Sequence, residues 1–284
     1  MNSKYFLIYL TANDSKTYHA DIQNFLDMAK YDPGVGMIDL YLVISVVRKF
    51  TLFDRLIFNL ILRSTGKCKW LNIQKIILKE NKGRDFSSAE AGLKEISKEA
   101  EEDDFILIRN RSSIGPFHNN WYKTYITQFE ANPGTGLVGS TINLNDHYTR
   151  NKLHNVAHVQ TYIYFSQWRY FLTLLMDFPG HKVFKHDDAI LFGEIELSQR
   201  LLSQGLKISS LQKPSMVIDL SNQNHKEQFD NIPFIDFKDL PIIHKKRRLK
   251  KINMWMLLKM YVRLLTKVIN KNNRYSTLDL RTSS

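Results

Sequence analysis

The chain has 284 residues, 43% of them hydrophobic and 24% charged, which suits one large α/β domain or two small ones and excludes a disordered chain or a fibre. A single cysteine, Cys68, rules out an internal disulfide and any multi-cysteine metal site, and fits a reducing compartment. The net charge of +12 is concentrated: residues 241–284 hold 12 Lys and Arg against one acid, Asp279. The first 240 residues, with 28 basic and 27 acidic side chains, are nearly neutral, which argues against nucleic acid as a partner of the body. Charge therefore divides the chain into a globular body, 1–240, and a basic tail, 241–284.

The apolar run Tyr5–Leu10 is too short for a signal-peptide core, so Lys4–Leu10 is predicted as the first strand and Thr11–Ser15 as the polar loop after it. Tyr18–Ala29 has helical spacing at Ile22, Phe25, Leu26 and Ala29, and stops before Asp32-Pro33-Gly34. Asp39–Val47 is a buried strand by its β-branched residues, Phe50–Leu62 a helix, and Ile73–Leu78 another strand. A turn at Glu80–Asp85 precedes a helix over Ser87–Ala100, with Ser87 or Ser88 as N-cap. Phe105–Ile108 is a short strand, followed by an irregular segment, Asn110–Asn120. Gly136–Ile142 has strand character, and His158–Phe165 reads as a strand passing into a helix over Gln167–Leu175. A helix over Ala189–Gln204 ends at Gly205, and Met216–Leu220 is a late strand. No stretch of about 18 uncharged apolar residues occurs.

Strands alternating with helices predict an α/β fold with a mostly parallel central sheet flanked by helices. Ligands bind such sheets at the carboxyl ends of the strands, which singles out the loops Thr11–Ser15, Asn81–Asp85 and Asn110–Pro116.

In Asn81-Lys82-Gly83-Arg84-Asp85-Phe86, Gly83 allows a tight turn, Arg84 offers a fork for phosphate, and the following helix N-terminus favours anions. Asn110-Arg111-Ser112-Ser113-Ile114-Gly115-Pro116-Phe117 places polar side chains where a strand ends over a cleft. In Gly193-Glu194-Ile195-Glu196-Leu197-Ser198 the two carboxylates lie about 200° apart around a helix axis, so at most one faces a cleft. His154 and His158 stand four apart, but no third ligand follows at a recognised spacing, and His181, His186, Asp187 and Asp188 read as loop residues. The glycine and serine signatures of P-loop, dinucleotide-binding and α/β-hydrolase folds are absent.

The ordered set Asn81–Phe86, Asn110–Phe117, Gly136–Ser140, His158–Tyr162 and Gly193–Ser198 resembles bacterial glycosyltransferases of capsule, lipopolysaccharide O-antigen and related surface-polysaccharide pathways. It covers about residues 4–220 and implies a GT-A-like fold that uses a nucleoside-diphosphate sugar. The resemblance implies donor binding by Thr11, Asn13, Asn81, Gly83, Arg84, Asp85, Asn110 and Ser112. It implies acceptor binding by Gly115, Pro116, His158 and Gln160, and a general base at Glu194. Many GT-A enzymes hold a divalent cation, Mg²⁺ or Mn²⁺, on an Asp-x-Asp at the strand end where this chain has Asn110-Arg111-Ser112. Asp103 and Asp104 lie at the other end, more than about 10 Å away along the strand. A divalent cation, Mg²⁺ or Mn²⁺, is therefore left open as a cofactor, no metal ligand is assigned, and Arg84 or Arg111 shares the neutralisation of the departing diphosphate in this reading. A degenerate, non-catalytic transferase domain acting as a membrane-bound scaffold is the alternative.

In the tail, six basic residues within His244–Lys251 precede Ile252–Ile269, where Lys259, Arg263, Lys267 and Lys271 form an i, i+4 row beside a broad Trp, Met and Leu face. The pattern predicts a helix lying on an anionic membrane through residues 245–271. It places the protein in the cytoplasm, peripherally bound to the inner face of the cytoplasmic membrane, where a growing lipid-linked glycan would be its acceptor.

Overall fold

The computed structural model describes residues 3–65, 68–146, 156–220, 229–247 and 262. The elements follow in order as β1 (Tyr5–Ala12), α1 (Tyr18–Lys30), β2 (Ile38–Val46), α2 (Leu52–Thr65), β3 (Leu71–Glu80), α3 (Arg84–Ile96), β4 (Phe105–Asn110), β5 (Ser113–Ile114) and α4 (Trp121–Glu130). Then come β6 (Thr135–Gly139), β7 (Ile142–Asn143), β8 (His158–Val159), β9 (Ile163–Gln167), α5 (Trp168–Leu174), α6 (His186–Ala189), α7 (Glu196–Ser203), β10 (Lys207–Ser210), β11 (Val217–Ile218) and β12 (Ile243–His244).

Eight strands form the central sheet in the order β11-β10-β6-β9-β4-β1-β2-β3. β9 runs antiparallel to β4 and β6, and β11 antiparallel to β10, while the remaining pairs are parallel. Side chains alternate between faces with period two, so both faces of a covered sheet must be apolar. Leu7 and Tyr9 of β1, with Leu40, Leu42 and Ile44 of β2, meet α1, α2 and α4. Phe6, Ile8 and Leu10, with Tyr41 and Val43, meet α3, α5 and α7.

Several boundaries differ from expectation for local reasons. α3 begins at Arg84, because its cap is Gly83 at φ +67° and not a serine; the Ser87 hydroxyl instead donates to the Lys82 carbonyl. A Cβ at position 83 would stand 1.9 Å from the His181 carbonyl oxygen, so only glycine fits there. The expected strand over His158–Phe165 breaks into β8 and β9, because the Gln160 amide turns to the Thr141 carbonyl. His186–Asp188, expected in a loop, sit on α6, and α6 and α7 are joined by a π-helical turn, Ile190–Ile195.

α4 lies inside a stretch without an expected element. Its Trp121, Tyr122, Tyr125 and Phe129 are buried, and the Tyr122 hydroxyl donates to the Phe6 and Phe105 carbonyls, both 2.9 Å away. The charge boundary at 240/241 is no break in packing, since Leu240, Ile242 and Ile243 are buried and β12 pairs with β5. His154 and most of the expected tail helix lie outside the described residues; of residues 245–271 only Lys245–Arg247, a short 3-10 turn that follows β12 instead of opening a separate tail helix, and Val262 are described. Among the described residues no helix is long and apolar enough to cross a membrane.

Candidate active site

The carboxyl ends of β1, β2 and β4 open into a cleft of about 1200 Å³. Thr11, Ala12 and Asp14 reach it from β1, Ser45 and Val47 from β2, and Asn110, Arg111 and Ser112 from β4. The start of α3 supplies Asn81, Arg84, Asp85 and Phe86, and the helical segment after it His186, Ala189, Ile190 and Glu194. All three loops singled out from strand ends therefore meet in one cleft.

Arg111 is the fixed charge of its floor. Its guanidinium donates to the Thr11 hydroxyl at 2.6 Å, to the Thr17 hydroxyl and to the Ala12 carbonyl, and stands 3.5 Å from the Asp21 carboxylate. Asp21 is buried, and also accepts from the hydroxyls of Tyr9 at 3.0 Å and Thr11 at 2.9 Å. Burial raises the Asp21 carboxyl above the usual range, while Arg111 and the two hydroxyls pull the other way. The Arg111 Nε atom is buried and has no hydrogen-bond acceptor among the described residues.

Asp85 faces the cleft from the first turn of α3, where the Asn110 amide donates to it at 2.7 Å. Its side chain is open to the cleft yet crowded by protein; that crowding raises the carboxyl, and Asn110, Arg111, Arg84 and Lys79 lower it. Arg84 itself is exposed on the rim, donating to the Phe184 carbonyl at 2.9 Å. On the opposite wall, one Glu194 oxygen accepts from the Thr161 amide at 2.8 Å and hydroxyl at 2.9 Å. The other stands 3.6 Å from His158 Nε2. Glu196, two residues on, points elsewhere and pairs with Arg200 at 2.8 Å. Gly193 lets this turn lie on the Phe86 ring, which a Cβ there would meet at 2.3 Å.

Of the expected donor contacts, Thr11, Asn81, Arg84, Asp85, Asn110 and Ser112 line the cleft, and Asn13 and Gly83 do not. Asn13 is fully buried because its side chain bridges the Val47 amide at 2.7 Å and the Arg48 carbonyl at 2.6 Å, and Gly83 packs on His181. Among the expected acceptor contacts only Gln160 lines the cleft. His158 lies behind Glu194, its Nδ1 donating to the Val156 carbonyl at 2.6 Å. Gly115 and Pro116 are turned away, because β5 folds back to pair with β12 and the Gly115 carbonyl accepts from Arg109 at 3.1 Å. Sequence reasoning missed Asn143, Asn145 and Asp146, which follow the expected strand Gly136–Ile142 whose end was not singled out, and Tyr162, His244 and Lys246, which do not follow an expected strand.

The strand end that would carry Asp-x-Asp does not fit a hard cation. Asn110 Oδ1 already accepts the Ser112 amide at 2.8 Å, its amide nitrogen is used by Asp85, and a guanidinium lies between the two positions. Among the described residues no group of three or more His, Cys, Asp or Glu is placed to hold a metal.

No protein-family model matches the sequence, and no curated protein matches it. Among solved structures the chain is similar in course to the bifunctional glycosyltransferase WbbM, at 10% identity and TM-score 0.47 over 95% of this chain and 50% of that one. It is similar to the galactosyltransferase LgtC at 9% identity and TM-score 0.49, over 92% and 95% of the two chains. The glycosyltransferase GlyE of Streptococcus pneumoniae follows at 12% identity and TM-score 0.44, over 97% and 66%. The chain thus spans half the length of the first and nearly all of the second. At such identities and scores these likenesses assign neither a family nor a reaction to this chain.

Proposed function

We propose that the chain is a glycosyltransferase that moves a sugar from a nucleoside diphosphate to a hydroxyl of a growing surface polysaccharide. The observation that carries this reading is the pairing within one cleft of a fixed cation, Arg111, with the carboxylates Asp85 and Glu194. A diphosphate needs the first, and the hydroxyls of a sugar and its acceptor need the second.

The acceptor oxygen forms a bond to the anomeric carbon as the bond from that carbon to the diphosphate oxygen breaks. The diphosphate leaves with the bonding electrons, and its new charge faces Arg111, with Arg84 and Lys246 on the same cleft. Glu194 takes the acceptor proton on the oxygen that faces His158, since its other oxygen is held by Thr161. His158 is thereby reassigned from acceptor contact to a positioning residue. In this reading Arg111 supplies the charge that Asp-x-Asp enzymes draw from a cation. The basic, apolar tail sequence supports a lipid-linked acceptor at an anionic membrane, as in capsule or lipopolysaccharide assembly.

The test is a thermal-shift screen of the full chain against nucleoside-diphosphate sugars, with Mg²⁺ or with EDTA. A ligand at about 100 times its Kd stabilises the native state by about 2.7 kcal/mol, a shift of a few degrees. A selective rise with one donor, retained in EDTA, is expected. A rise that requires Mg²⁺ overturns the role given to Arg111, and none with any donor overturns the transferase reading.

A further inference from the structure

Helix α2 presents an unusual outer face. Leu52 is 84% exposed, Leu56 54% and Phe53 49%, on a helix whose other face buries Ile57, Phe58 and Ile61. At 100° per residue, Leu52 and Leu56 fall at the centre of the exposed arc, with Arg63 in the same row, Arg55 on one flank and Phe53 on the other. Isolated exposed apolar residues are ordinary, but adjacent large ones on a helix mark a surface that is covered in use.

The charges around this face have one sign. Between residues 47 and 63 the basic side chains are Arg48, Lys49, Arg55 and Arg63, and the single acid is Asp54. Asp54 is fully buried and bound to Arg48 by two contacts of 2.7 Å, so it cancels Arg48 and leaves the others uncompensated. Lys49, Arg55 and Arg63 make no ion pair among the described residues. The helix start is rigid. Thr51 and Asp54 cap each other, amide to carboxylate at 2.8 Å and amide to hydroxyl at 3.2 Å, and Phe53 packs on the Tyr18 ring.

We infer that the outer face of α2 is a second membrane-contact surface, built for an anionic lipid headgroup layer into which Leu52, Phe53 and Leu56 insert. Uncompensated positive charge flanking exposed apolar residues matches such a layer on both counts. A protein partner with a matching apolar face would not need that charge. The position also matters, because α2 starts just after Val47, which lines the cleft. Contact through this face sets the cleft mouth beside the lipid surface, whatever ligand the cleft takes.

The experiment uses the full chain, so the tail remains present, and reads α2 directly. In a Cys68→Ser background, Leu56→Cys is labelled with an environment-sensitive fluorophore and mixed with vesicles containing about 30% phosphatidylglycerol. Co-sedimentation establishes that the protein is bound. Expected are a blue shift and brightening of the label, quenching by nitroxide lipids, and loss of both in vesicles of phosphatidylcholine alone or in about 0.5 M salt. A label that stays water-exposed while the protein is vesicle-bound overturns the inference. The unlabelled pair Leu52→Ser and Leu56→Ser, both at exposed positions, should keep its melting temperature and bind anionic vesicles about tenfold more weakly. A concentration-dependent dimer that this pair abolishes, without any label shift on vesicles, would give the face to a second copy and refute the lipid assignment.

Discussion

Arg111, on the floor of the cleft, is held by Thr11, Thr17, the Ala12 carbonyl and Asp21, whereas Arg84, on its rim, donates to the Phe184 carbonyl and is otherwise exposed. The first has its orientation fixed before any ligand arrives, so binding an anion there costs little further ordering. The second must lose side-chain freedom on binding, and loses little if the ligand is absent. The same cleft therefore holds one cation suited to a developing charge and another suited to adjusting around a ligand already bound. A sheet end can build the first kind, because β1 and β4 are locked in register; a helix start at a rim builds the second.

The comparison is broken most severely at Arg111. Arg111→Ala should lower kcat/KM by about 100-fold, and the loss of its buried partner should cost about 3 kcal/mol in stability. Asp21→Asn in the same protein should recover part of that stability and none of the activity, as chemical melts and steady-state assays would show. If Arg111→Ala melts normally, the floor is not the fixed element described here. Next comes the opposite wall: Glu194→Gln should lower kcat about 100-fold with the melting temperature nearly unchanged, because glutamine still accepts from Thr161. Arg84→Ala should raise KM about fivefold with kcat and stability intact. An equal fall in kcat would mean that the rim arginine acts in the transition state, and the contrast would fail.

The smallest effect concerns a carboxylate away from the cleft. Burial pushes the Asp54 carboxyl up, but Arg48, the Thr51 amide and hydroxyl and the Tyr18 hydroxyl outweigh it and bring it down to about 2. A carboxyl depressed in the fold stabilises fully above its unfolded value of about 3.9. That contribution is lost as pH falls through the folded value, so it fades between about pH 4 and 2. Half-exposed Arg48 is screened by solvent, so about 1 kcal/mol is expected. Denaturant melts of the protein and of Asp54→Asn should converge across that window.

Much of the amino-terminal sheet was legible, because β1 and β2 are dense β-branched or aromatic runs and their helices carry plain spacing. The insertion of β9 between β4 and β6 was not, since strand order depends on contacts far apart in sequence. α4 was missed although Trp121, Tyr122, Tyr125 and Phe129 have helical spacing and Asn120 stands at its cap; Asn120 enters at φ +62°, and its side chain makes no capping hydrogen bond. β10, Lys207–Ser210, carries two buried serines that read as a loop. In the site, strand-end reasoning found Thr11, Asp85 and Asn110, since their placement follows from sheet geometry. It could not find Asp21, a helix residue whose partners come from β1 and from the residue after β4, nor His244 and Lys246, brought in by β12.

That return of the chain has a consequence for anyone shortening it. β12 pairs with Ile114 and Ser113, the Lys245 amide donates to the Ser112 carbonyl at 2.7 Å, and the Ser140 hydroxyl donates to the Ile242 carbonyl at 2.9 Å. A truncation after residue 240, where the charge changes, would strip these partners from the floor of the cleft; a truncation after 247 would spare them. For the same reason, a pull on the chain at residue 247 reaches first the strand beside Ser112.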